Sequence, residues 1–88
     1  MNFLHYIVTT GPRDAVRVQL SGSAANVLVM DDTNFQNYKL GQAYRYYGGY
    51  YKQSPVIIQP PSAGRWNVVI NLGGLPGTVN AIVQVLHR

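Results

Sequence analysis

The sequence predicts an all-β fold, an antiparallel, jelly-roll-like β-sandwich of about seven to eight short strands with one short helical turn. Two observations carry this. Short stretches of strict apolar/polar alternation recur along the chain, and glycine, proline, serine and asparagine clusters punctuate them roughly every 8–12 residues. No window of the length a helix needs shows convincing helical periodicity.

Residues 2–8 are rich in aromatic and β-branched side chains, and Thr9-Thr10-Gly11-Pro12 closes them with turn chemistry. In residues 15–20, Val16, Val18 and Leu20 share one face and Arg17 and Gln19 the other, as in a half-buried strand. Ser21-Gly22-Ser23 is the next turn. Residues 25–31 are apolar on both faces in the middle, which predicts a central strand or one covered by a loop. Asp31-Asp32-Thr33-Asn34 then offers an N-cap for a helical turn over residues 34–39, with Gly41 to end it. Phe35 and Tyr38 would share one side of that turn.

The stretch from Tyr44 to Lys52 holds five of the seven tyrosines. It reads as a hairpin turning at Gly48-Gly49, because glycine accepts the positive φ of a tight turn. Tyr47 would then oppose Tyr50, and Tyr46 would oppose Tyr51. Residues 56–59 form a short strand stopped by Pro60-Pro61, and Ser62-Ala63-Gly64 is a turn. From Trp66 to Leu72 the alternation returns, with Trp66, Val68, Ile70 and Leu72 facing one way and Asn67, Val69 and Asn71 the other. Residues 73–77 are a glycine-rich loop. Thr78 to Leu86 closes the chain with Val79, Ala81, Val83 and Val85 inward. One contiguous core is expected from Val16, Val18, Leu20, Trp66, Val68, Ile70 and these four.

Composition narrows the function classes. At 88 residues the chain is expected to form one domain, 1–88. It is 47% hydrophobic and 11% charged, against a usual charged share of about 25%, so it should fold rather than stay disordered. Without cysteine, no disulfide framework or thiolate metal site can form, which inclines the reading toward the cytoplasm. The first residues lack the basic and apolar regions of a signal peptide, and no apolar run is long enough to cross a bilayer. Seven Lys and Arg against three Asp give a net charge of +4, but the cations are scattered. They solubilise the chain and leave nucleic acid open as a partner, since counterion release needs several phosphates contacted together.

Chemistry-bearing constellations are sparse. Asp31 and Asp32 are adjacent and read as a helix cap rather than an acid–base pair. His5 and His87 stand at opposite ends of the chain, without metal-ligand spacing. No serine lies in a nucleophile elbow, and residues 73–77 match neither a P-loop nor a dinucleotide fingerprint. The reading is of a protein that is not an enzyme and needs no cofactor. Arg45, Tyr46, Tyr47, Tyr50, Tyr51 and Lys52, with Asn34 nearby, are the candidate binding residues. Their rings can stack on a sugar, a nucleobase or a partner's side chain, and their cations can meet anions. Trp66 reads as a core anchor.

Several segments together resemble a small bacterial family that carries a domain-of-unknown-function label. They are Met1 to Tyr6, Leu20 to Val27, Met30 to Phe35, Tyr46-Tyr47-Gly48-Gly49, Ser54-Pro55 and Gly64 to Val69. The resemblance extends over nearly the whole chain. It implies an all-β sandwich found alone or ahead of a Toll/interleukin-receptor-like (TIR) domain of the bacterial defence type, and it implies no catalytic residues. The expected function is non-catalytic recognition of a partner protein or polar ligand, as a sensor in bacterial or phage defence. Nucleic-acid binding through the basic, tyrosine-rich face and structural homo-oligomerisation are the alternatives.

Overall fold

The computed structural model describes residues 2–88, so Met1 of the first motif lies outside the described residues. Among these, the elements follow as β1 (Leu4–Thr10), β2 (Ala15–Gly22), β3 (Ala25–Met30), α1 (Asp32–Lys39), β4 (Tyr47–Tyr51), β5 (Val56–Ile58), β6 (Gly64–Asn71) and β7 (Val79–Leu86). The strands build two antiparallel sheets, in the orders β1-β6-β3-β4 and β5-β2-β7. Every connection crosses between the sheets except β3 to β4, which α1 bridges.

The inward faces meet in an apolar core. Val16 and Val18 of β2, Val27 and Val29 of β3, Val56 and Ile58 of β5, and Trp66, Val68 and Ile70 of β6 are buried there. Burying one such aliphatic side chain contributes roughly 1.5–3 kcal/mol. Trp66 anchors one end, and its indole N–H donates to the Ser62 carbonyl at 3.0 Å, so its polar tip is satisfied. Leu20, Leu72, Val79, Ala81 and Val83 pack around the same core half-buried. Val85, expected among them, is half-buried one residue from the end of β7 and does not join that packing.

The four-stranded sheet is apolar on its outward face too. Leu28, Met30 and Val69 pack beneath Phe35 of α1, with Phe3, Tyr38 and Tyr44 around them. Residues 25–30 form a strand central in its sheet, and its cover is the helix α1 rather than a loop. α1 begins where Asp31 accepts the Asn34 backbone N–H at 2.8 Å, and Gly41 follows its end with φ of 73°.

Two expectations are corrected. Thr9 and Thr10 extend the first strand instead of ending it, because they pair with Arg65 and Gly64 of β6. More consequentially, Gly48-Gly49 is not a turn. Tyr47 to Tyr51 form one strand whose five residues pair with β3, from Val29↔Tyr47 to Ala25↔Tyr51. α1 returns the chain antiparallel alongside β3, where a ready strand edge offers more pairing than two short tyrosine arms could offer each other. Gly48 serves a different purpose. At φ of 136° a β-carbon there would collide with the Val27 carbonyl oxygen, so the residue permits close approach of β4 to β3.

Candidate recognition surface

The tyrosine stretch is positioned from α1 outward. Asn34 donates its side-chain amide to Asp31 Oδ1 at 2.9 Å, and its own Oδ1 accepts the Arg45 backbone N–H at 2.8 Å. Asn34 is thus a positioning residue, tying the start of the stretch to the helix cap. Tyr38 meets Tyr44 edge-on at 5.1 Å between ring centroids, and Tyr44 meets Tyr46 at 5.7 Å. Burial holds the Tyr38 hydroxyl above the usual tyrosine range, against a hydrogen bond from the Asn71 amide at 2.9 Å.

Strand alternation then divides the rings, and differently from the hairpin expectation. Tyr47, Gly49 and Tyr51 lie on the inward side and Gly48 and Tyr50 on the outward side, where Tyr46, just before the strand, rests against Tyr44. Tyr51 is half-buried against the core. Tyr47 sits at the rim, edge-on to Trp66 at 6.1 Å, and stays 47% exposed. Tyr46 and Tyr50 are 46% and 49% exposed. Arg45 and Lys52 are exposed just beyond the two ends of β4.

Among the described residues no carboxylate comes to these two cations, and the three aspartates are engaged elsewhere. Asp31 caps α1. Asp32 accepts from Asn67 at 2.7 Å and from Arg65 at 3.3 Å. Asp14 accepts the Gly11 N–H at 2.8 Å and meets the His87 ring at 3.0 Å. The Gly11 hydrogen bond, more than His87, holds the Asp14 carboxyl below the usual carboxylate range. The Asn67 amide does the same for Asp32, with the Arg65 guanidinium adding to it.

A second polar group, not anticipated from the sequence, lies under α1. Asn67, 1% exposed, gives its amide to Asp32 and to the Met30 carbonyl, so its Oδ1 must accept from His5 Nε2, 2.8 Å away. The His5 ring stacks on Phe35 at 4.0 Å between centroids, and Lys39 Nζ lies 4.7 Å from the Phe35 centroid. Asn71 bridges Asn26, Tyr38 and the Gly73 N–H in the same way. The available signal was two asparagines four apart in the otherwise apolar run from Trp66 to Leu72. Among the described residues no group of three or more His, Cys, Asp or Glu side chains is placed to hold a metal ion. A cleft of about 250 Å³ opens at the β1/β7 side, between Leu4, Leu72, Thr78 and Val79, away from the tyrosine strand.

With seven strands, the α1 cover and the exposed tyrosine edge in place, the comparison with known families is decisive on membership. The chain belongs to the family described as Domain of unknown function (DUF1883). The family model matches residues 1–88. No curated protein and no solved structure matches the chain.

Proposed function

We propose that the chain is a non-catalytic recognition module that binds a partner protein or polar ligand through the surface from Arg45 to Lys52. One observation carries this reading. Three tyrosines about half exposed, Tyr47 and Tyr50 on a single edge strand and Tyr46 just before it, are flanked by two cations that meet no carboxylate among the described residues. Packing stability gives no reason for exposed rings of that size, and tyrosine supplies contact area at low entropic cost. Asn34, Tyr44 and Tyr38 hold the surface in place. Following the resemblance to chains that precede a TIR domain, we assign the module to bacterial or phage defence as a cytoplasmic sensor. Among the described residues no helix is long and apolar enough to cross a membrane.

Nucleic acid is the second reading, favoured by the same rings and cations, which suit base stacking and phosphate contact. Backbone amide shifts during titration with peptide, oligosaccharide and single- or double-stranded nucleic acid pools separate these. Perturbations centred on residues 45–52 are expected. The Tyr46→Ser/Tyr50→Ser double variant should unfold within about 1 kcal/mol of the parent and lose the binding. Shifts gathered instead at the Leu72–Thr78 cleft, or a double variant that binds at full strength, overturn the assignment. Binding confined to nucleic acid, with a steep salt dependence, replaces it by the second reading.

A further inference from the structure

From the geometry of this same surface, and resting on the recognition reading, we infer that β4 takes its ligand as an added β-strand, an extended acidic peptide. The four edge strands of the sandwich are unequally protected. β1 and β7 flank each other, with the Tyr6 hydroxyl reaching the Ala81 carbonyl oxygen at 3.5 Å, and β4 and β5 flank each other less closely. β5 is three residues long, with Pro55 before it and Pro60-Pro61 soon after. β4 pairs only with β3 and carries no proline. Alternate residues of an antiparallel edge turn both N–H and C=O away from the sheet, so β4 offers about two or three such pairs to a further strand. An extended peptide satisfies them by strand addition, taking affinity from backbone bonds and specificity from alternate side chains.

The side chains define what that peptide carries. Tyr46 and Tyr50 bracket Gly48 on the outward side, about 13 Å apart at roughly 3.3 Å per residue. With no side chain at Gly48, an incoming residue opposite it enters the space between the two rings, which suits a large apolar or aromatic group. Arg45 and Lys52 stand beyond the strand ends, so acidic residues near the peptide's two ends meet them. A second copy of the chain is disfavoured as the occupant. Antiparallel pairing centred on Gly48-Gly49 sets Arg45 beside Lys52 of the other copy, and like charges facing across strands repel.

The test uses a short capped peptide with glutamates placed to face Arg45 and Lys52, one phenylalanine to face Gly48, and alternating threonine and valine between. Two further versions are N-methylated at alternate residues, one at even positions and one at odd. Strand addition needs the N–H groups of only one parity. One methylated version should therefore lose at least about tenfold in affinity while the other stays within about threefold of the parent. Exchanging the glutamates for lysines, or combining Arg45→Ala with Lys52→Ala, should also cost at least about tenfold. Equal binding of both methylated versions, with amide shifts still at residues 45–52, overturns strand addition while leaving the recognition surface intact. Absent binding of the parent peptide overturns the acidic strand as the ligand. Concentration-dependent dimerisation that Arg45→Glu strengthens, by setting a carboxylate beside Lys52 of the other copy, identifies a second copy as the occupant and overturns it too.

Discussion

The two outward faces of the sandwich start from the same alternation and end in opposite environments. On the four-stranded sheet, Leu28, Met30 and Val69 are closed over by Phe35, and the polar residues between them, Asn67 and Asn71, are buried and hydrogen-bonded. On the three-stranded sheet the outward side is open to water. Arg17 donates to Gln19 at 3.1 Å and to Gln84 at 3.4 Å, and Ile57 and Ile82 stand exposed between such groups. The difference is one eight-residue helix, too short to be stable in isolation. Once Phe35 docks, the helix converts a solvated sheet face into a second small core. It also obliges every polar group beneath it to find a partner.

Removing the helix's anchor should erase this contrast with the largest effect. Phe35→Ala takes the ring from Leu28, Met30 and Val69, from the His5 stack and from Lys39. A loss of about 3–5 kcal/mol is expected in denaturant unfolding. A loss below about 1 kcal/mol, within the range of surface substitutions, would mean that the covered face behaves like the open one.

Asn67→Ala sharpens the comparison at intermediate size. It leaves the Met30 carbonyl, Asp32 and His5 each short of a partner, with an expected loss of about 1–3 kcal/mol. It also carries a pH signature. The Asn67 amide depresses the Asp32 carboxyl in the folded state, so that contribution to stability is full above the ordinary Asp value of about 3.9 and disappears as pH falls through the depressed one. The variant's stability should therefore decline less steeply on acidification than the parent's. Asp14, held low by Gly11, retains its share of the acid sensitivity in both proteins. An unchanged acid limb in unfolding curves would show that the Asn67–Asp32 bond does not form in solution.

The smallest effect belongs to the open face. Ile82, 62% exposed, should tolerate Ile82→Ser within about 0.5 kcal/mol. A clear destabilisation would show that this face is covered in solution, and sedimentation would reveal by what.

Much of this was legible in the residues. Alternation at 15–20 and 66–72 placed Val16, Val18, Trp66, Val68 and Ile70 inward, because a two-residue period is a local property of extended backbone. The Asp31 cap and the shared side of Phe35 and Tyr38 are likewise local, decided within one turn of helix. The candidate residues Arg45, Tyr46, Tyr47, Tyr50, Tyr51, Lys52 and Asn34 do come together, yet in an arrangement the sequence misstates. A Gly-Gly pair permits a tight turn, but whether it turns depends on what backbone lies alongside. β3 offers its edge only after α1 has brought residues 47–51 beside it, so Tyr47 joins Tyr51 on one face and Tyr46 joins Tyr50 on the other. The burial of Asn67 and Asn71 has the same origin. An asparagine in a strand is polar wherever it lies, and only the docking of a helix from another part of the chain makes it a buried group with partners to find. By itself the sequence determined the period and caps of the elements, which rest on neighbours a few residues apart. Tertiary structure alone decided which edges pair and which face is covered, because those depend on segments brought together across the fold.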